Sequence, residues 1–481
     1  MSKAKTTHCG HLCFVSLLVV LSYPQPSQLE AGSKAAKIIL IENVPHIRQK
    51  PDFCGEACIA MYLRKLGHKV SQNDVFNLSG VDPTLGRGCV TSDMEQVLKR
   101  IGFQPGQVWH KIDPKKHEQQ LDSQWNLLLE DVSKGIPSVV CMHYSDQPES
   151  SEHFRLVLGY DPNSDQIIYH EPAEKGGAYR RMERSRFLEL WPLKYSRSEW
   201  LAIRMPLEAG TISLPGAGSK SFTNADYAQH IMRLKPMVPN GFTIVLEKPF
   251  VVIGDEKPAT VKYRAKQTVR WFVDRVKSLY FDKDPAAIYD IWLFKDGDSY
   301  RKHARELFGD TPDTPFGYCS DSHRSLIMNI STGGGTLCHE IVHAFIASNF
   351  PGCPAWFNEG LASLYEQCGL KDRKLVGFTN WRLAGLQKEI RIGTLPSFRD
   401  LLATTTHQFY NATRGNNYAQ ARYLCYYLQE KNLLVQFYNA YRRNFKKDPS
   451  GYRTLKQTLR EGYMEKFQDN WEQWVLKLQF P

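Results

Sequence analysis

A chain of 481 residues is too long to close around one ordinary hydrophobic core, so two or three domains are expected. Its hydrophobic share of 42% is that of a globular protein, no internal repeat is visible, and past residue 21 no stretch is long or apolar enough to cross a membrane. A net charge of +11 allows contact with an anionic cell envelope, while nothing resembles a nucleic-acid-binding module, so nucleic acid is not an expected partner.

Lys3, Lys5 and His8 precede an apolar run from Leu12 to Leu21, and Ser22-Tyr23-Pro24 breaks it. This order predicts a secretory signal peptide and polar spacer over residues 1–32, with an uncleaved anchor as the alternative. A secreted, periplasmic or cell-envelope location follows. Nine cysteines remain after Cys9 and Cys13. An odd number suits one free nucleophile plus pairs, and equally suits unpaired buried thiols. Cys353 and Cys368 bracket a predicted helix and should not bridge each other.

A first domain is expected over residues 38–206. Ile59, Leu63 and Leu66 share a helix face, and Gly67 is its stop. Cys54 then sits at a helix amino terminus, where the dipole and free N–H groups favour a thiolate. Glu152 to Asp161 reads as a strand ending in a turn, and Gln166 to His170 as its return, followed by Glu171-Pro172. Residues 207–238 read as a linker, because Gly, Ser and Pro dominate from Glu208 to Lys220.

A second domain is expected over 239–370. Phe250–Gly254, Ile288–Phe294 and Ser325–Ile330 read as strands, with an amphipathic helix from Thr260 to Leu279. The Gly333-Gly334-Gly335 turn lets the next helix start close to the sheet. That helix carries His339-Glu340-Ile341-Val342-His343, an HExxH motif. Two His four positions apart project from one face and can bind one Zn²⁺. Glu340 can then take a proton from an activated water. Ser348 to Cys353 reads as a turn, and a second helix starts at Pro354 and runs past Glu366. Folding back, it brings Glu359 to the metal, with Glu366 as the alternative third ligand. Residues 371–481 read as a helical subdomain behind these two helices.

Two resemblances follow from these motifs. Residues 49–58 and 152–172 resemble the papain-like cysteine peptidases of the bacteriocin-processing, double-glycine type, especially their stand-alone relatives. The resemblance implies Gln49 as the oxyanion-hole side chain, Cys54 as nucleophile and His153 as base. Phe53 is inserted before the nucleophile, and Glu171 stands where that family has Asp, so Glu171 would orient His153. Asp161 is the alternative orienting carboxylate. The HExxH motif followed by Asn358-Glu359-Gly360 resembles the gluzincin metallopeptidases. That likeness implies zinc on His339, His343 and Glu359, Glu340 as general base, and Tyr418 as a donor to the developing oxyanion. It also implies that the segment from Phe316 to Ile330 forms an edge strand pairing with substrate. The expectation is an α+β protein: a papain-like domain, then a zincin-like domain with a helical tail, acting as a hydrolase on a peptide or protein substrate. The competing expectation is a non-catalytic peptide- or envelope-binding protein whose peptidase-like sites are degenerate.

Overall fold

The computed structural model describes residues 36–147, 150–214, 221–411 and 417–480. The expected leader at 1–32 and part of the expected linker, 215–220, lie outside the described residues.

The first domain is built on an antiparallel sheet. Its strands are β1 (Ile39–Leu40), β2 (Trp109–Ile112), β3 (Ser138–His143), β4 (Glu152–Asp161), β5 (Gln166–His170), β6 (Arg180–Glu183), β7 (Leu193–Lys194) and β8 (Trp200–Pro206). The order is β2-β8-β3-β4-β5-β6, with β1 on β4 and β7 on β8. Residues His153 to Gly159 of β4 are all buried, which requires cover on both faces. The helices Cys54–Lys65 and His117–Ser133 pack on this strand. The Cys54 helix ends as its sequence indicates: Leu66 is the C-cap and Gly67 follows at φ +90°.

The stretch 207–238 is not simply a linker. Asn224–Leu234 forms a helix, closed by a capping box in which Thr223 and Asp226 satisfy each other's backbone. It buries Ala225, Tyr227, Ala228 and Ile231. Asn77 accepts from Ala225 N–H at 2.9 Å, and Gln229 donates to the Pro51 carbonyl at 2.7 Å. On the other side His230 pairs with Asp290 at 2.7 Å. The helix is therefore a strut between the two halves. The Gly and Pro content just upstream masks this capped, amphipathic turn of sequence.

The second sheet has five strands: β9 (Thr243–Glu247), β10 (Phe250–Gly254), β11 (Tyr289–Phe294), β12 (Gly317–Ser320) and β13 (Ser325–Asn329), ordered β12-β13-β11-β10-β9. The pairs β10–β11 and β11–β13 are parallel. Parallel neighbours need a crossover, and the helical run Pro258–Tyr280, with a π-helical stretch at Ala265–Arg270, supplies the first. The expected edge strand 316–330 is instead a hairpin. Arg324 turns it at φ +50°, so within the hairpin β12 lies at a sheet edge and β13 is interior.

After β13 the chain enters the HExxH helix, Gly335–Asn349, and then the Glu359 helix, Ala355–Leu364. A Cβ on Gly335 would stand 2.3 Å from the Glu366 carbonyl oxygen, so glycine permits this close approach. The Glu359 helix stops before Glu366. Next comes a hairpin of β14 (Cys368–Lys371) and β15 (Lys374–Gly377), where a helical tail was expected. Asp372 and Arg373 both take positive φ, the geometry of a tight two-residue hairpin turn. From Arg382 onward the chain is helical, as anticipated. It is no separate unit, however: one apolar core runs from Phe250 through Phe345 and Trp356 to Trp471 and Val475. All nine cysteines in the described residues are free thiols. No described helix is long and apolar enough to cross a membrane.

Candidate functional sites

Two clusters of reactive side chains lie in the two halves. In the first, Cys54 opens its helix and is half-buried. Packing of this helix on β4 sets Cys54 beside Phe154, the residue after His153; the neighbouring Cys58 Sγ lies 3.8 Å from the Phe154 carbonyl. Burial pushes the Cys54 thiol up to about 12, and Glu56 and Asp52 add to the rise; hydrogen bonding from the Phe154 and Gly55 backbone opposes it. Among the described residues no hydrogen bond joins Cys54 to His153. The helix terminus alone therefore does not produce a resting thiolate.

His153 sits at the start of β4, and its Nε2 meets Glu171 Oε1 at 2.5 Å. Both groups are buried. Arg155 Nε donates to the other Glu171 oxygen at 2.7 Å, and Ala173 N–H donates to Oε1 at 3.0 Å. Burial alone would raise the Glu171 carboxyl; His153 and Arg155 outweigh it and hold the group below its usual range. Asp161, the alternative orienting residue, is instead paired with Arg181 at 2.7 Å. Gln49 N–H donates to the Pro172 carbonyl at 2.8 Å, which holds Gln49 next to the Glu171 loop. Its side-chain Oε1 is buried without a partner.

In the second cluster, His339 Nε2 and His343 Nε2 stand 2.9 Å apart. Glu359 Oε2 lies 3.3 Å from His339 Nε2, and Oε1 lies 3.6 Å from His343 Nε2. These three residues form a group that could hold a metal ion. Donor atoms about 2.0–2.1 Å from a tetrahedral zinc are separated by roughly 3.3 Å, which these spacings bracket. Glu359 Oε2 is buried with no hydrogen-bond partner, and such an atom wants a cation. Burial opposes protonation of His339, yet Glu359 and Glu366 together raise its imidazole to about 10. The pocket thus demands positive charge, and the donor set fits a divalent ion.

The surrounding residues orient these donors. His343 Nδ1 meets Asn358 Oδ1 at 2.8 Å. Glu366 approaches His339 Nδ1 at 3.3 Å, outside hydrogen-bonding angles, and is gripped by Arg382 at 2.7 Å. Burial alone would raise Glu366, but His339 and Arg382 pull it down to about 2. Glu366 therefore braces His339 from the far side of the ring and does not join the cluster of Glu359. Glu340 is raised by burial, with His339 and His343 pulling against the shift. Cys319 of the free-edged β12 lies within electrostatic reach of Glu340.

Tyr418 stacks 5.3 Å from the Arg382 guanidinium and 6.0 Å from the Tyr410 ring. Tyr418 also feels the charges of Glu359 and Glu340. Tyr410, which sequence reasoning missed, is hydrogen-bonded into the cluster: its hydroxyl donates to Glu359 Oε1 at 2.5 Å. It rides on the short helix Thr406–Tyr410, whose capping box of Thr405 and Gln408 is the one local signal for it. Asn358 and Arg155 were missed as well, although both adjoin recognised motifs.

The comparisons bear on the first half. Residues 41–198 match the family model described as Peptidase_C39 like family. The peptidase domain of Streptococcus ComA, a bi-functional ABC transporter involved in a quorum sensing pathway, is a similar solved structure. The likeness has 20% identity over 34% of this chain and 99% of that one, with a TM-score of 0.23. No curated protein matches the chain. The amino-terminal region is thus similar to a peptidase family, and a hydrolase acting on a peptide or protein is the class this implies.

Proposed function

We propose that the protein is an exported peptidase with two hydrolytic centres. The observation that carries the reading is the convergence of His339, His343 and Glu359 with Glu340 next in chain to one of them. Zn²⁺ is the fitting ion, since two imidazoles and one carboxylate are a donor set that zinc takes, and His339, His343 and Glu359 would hold it. Bound there, zinc supplies Lewis acidity to a carbonyl and to a water molecule. Glu340 would take a proton from the attacking water and return it to the leaving amine. Tyr410 and Asn358 hold Glu359 and His343 in place. The zincin-like architecture anticipated for this half accords with β12 offering a free edge beside Glu340 to an extended peptide. Export rests on the composition of residues 1–32.

At the first centre Cys54 attacks a peptide carbonyl, His153 passes the thiol proton to the leaving amine, and Gln49 helps hold the oxyanion. Water then releases the acyl group. The Peptidase_C39-like match and the His153–Glu171 pair support this reading. A peptide-binding domain without turnover is the second reading, favoured by the burial of the Cys54 thiol.

Cleavage of a peptide library by the purified full-length protein separates these cases. Loss of cleavage with a chelator, restored by zinc, supports the metal centre; loss with a thiol blocker supports the Cys54 centre. Absence of bound zinc, together with unchanged cleavage by His339→Ala, would reject the first assignment. Failure of Cys54 to react selectively with a peptide electrophile would leave the binding domain.

A further inference from the structure

His153 and Arg155 are two apart on β4 and so lie on one face of the strand. Both reach the same buried carboxylate. Glu171 has two oxygens; Arg155 Nε takes Oε2, while His153 Nε2 and Ala173 N–H share Oε1. The rest of the guanidinium is spent on the carbonyls of His143 at 3.2 Å and Tyr144 at 3.1 Å. Arg155 is 4% exposed and Glu171 2%, so neither can exchange its partner for water. We infer that Arg155 is a positioning residue of the Cys54 centre, which holds Glu171 as an acceptor-only anion and thereby sets the proton of His153 on Nε2, with Nδ1 left as the base.

The argument is one of hydrogen-bond capacity. An ionised carboxylate only accepts, so the nitrogen facing it must donate. In a neutral imidazole the second nitrogen is then the acceptor. Without Arg155, burial would drive the His153–Glu171 pair to take up a proton. Held on Glu171, that proton makes the carboxyl a donor to Nε2 and moves the ring proton to Nδ1; held on the ring, it makes an imidazolium; either way Nδ1 carries a proton and is no base. Arg155 thus balances the charge of Glu171 before any reaction, and the ring stays free to take the thiol proton. It also accounts for one departure of this sequence: the longer Glu171 needs a second anchor, and Arg155 supplies it. Other titratable or charged groups facing the centre are Asp52 and Glu56, Cys58, Cys141 from β3, Glu152 from β4, Tyr144, whose ring lies 5.1 Å from that of His153, Tyr169 from β5, and His46, whose Nε2 meets the Glu171 carbonyl at 2.9 Å.

The inference rests on the cysteine-peptidase reading for its role, but its test does not require turnover. In the full-length protein with ¹⁵N-labelled histidine, His153 is assigned by the signal lost in His153→Gln. The expected wild-type signature is a protonated Nε2 and a bare Nδ1 at neutral pH. In Arg155→Met the pH at which His153 Nδ1 takes up a proton should rise by at least about one unit, a tenfold loss of bare Nδ1 at a given pH. Arg155→Lys, which keeps the charge, should stay near wild type. If peptidase activity exists, the acidic limb of kcat/KM should move upward in step with the titration. The opposite tautomer in wild type would overturn the inference even if Arg155→Met does not fold, and so would an unmoved titration in a folded Arg155→Met. Correct tautomer and titration with no cleavage would instead reject the peptidase reading and leave the charge arrangement standing.

Discussion

Gly335→Ala tests whether helix packing and the metal cluster are mechanically linked. Alanine is the better helix former by about 0.5–1 kcal/mol, so propensity alone argues for a more stable protein. Packing argues the opposite. The new Cβ would lie 2.3 Å from the Glu366 carbonyl oxygen and 3.2 Å from its carbon, both backbone atoms that no rotamer change can move. Ordinary carbon–oxygen contacts begin near about 3.3 Å, so the helix start and Glu366 must part by roughly 1 Å. Such overpacking costs about 1–3 kcal/mol, which outweighs the propensity gain. The displaced residue is the one that braces His339 and grips Arg382. Loss of such support typically weakens metal binding about 10–100-fold. Urea unfolding followed by fluorescence should therefore show a net loss of about 1–2 kcal/mol. Competition with a chromophoric chelator should show weaker zinc binding. Equal or greater stability with unchanged zinc affinity would refute the linkage.

Three further outcomes are expected. Asn358→Ala removes the partner of His343 Nδ1; zinc affinity by chelator competition should fall about 10–100-fold, with little change in the unfolding midpoint. Glu56 is fully buried, one oxygen lacks a partner, and burial raises its carboxyl to about 7. A folded-state value above the unfolded one means that stability is full below the unfolded value and is lost as pH rises through about 7. Glu56→Gln, which keeps the acceptor for Cys89 N–H, should therefore gain on wild type by of order 1–3 kcal/mol between pH 5 and pH 8; denaturant titrations at both values check this, and a flat difference would reject the burial account. Asp226→Ala breaks the capping box of the strut helix and its bond from Asn73 at 3.0 Å. A loss of about 1 kcal/mol is expected, with proteolysis between the two halves accelerated.

The chemistry-bearing motifs are legible because they are local. The spacing of His339 and His343 puts both rings on one helix face whatever packs around it, and Glu359 follows after one short turn. Cys54 at a helix start and His153 at a strand start are equally local readings. Residues 224–234 and 368–377 are hard to read because short-range cues compete: a Gly- and Pro-rich neighbourhood hides a capped helix, and a polar run hides a two-residue hairpin turn. What tertiary structure alone decided is which distant groups complete each cluster. Tyr410 reaches Glu359 across 51 positions, and Arg382 turns Glu366 from an alternative ligand into a brace. Arg155 and His153 share Glu171 only because β4 and the loop after β5 fold side by side. Sequence determines which side chains can do chemistry through periodicities of a few residues. Pairing between them is set by buried contacts of the whole core, where a neighbour's charge or a missing Cβ outweighs any local preference.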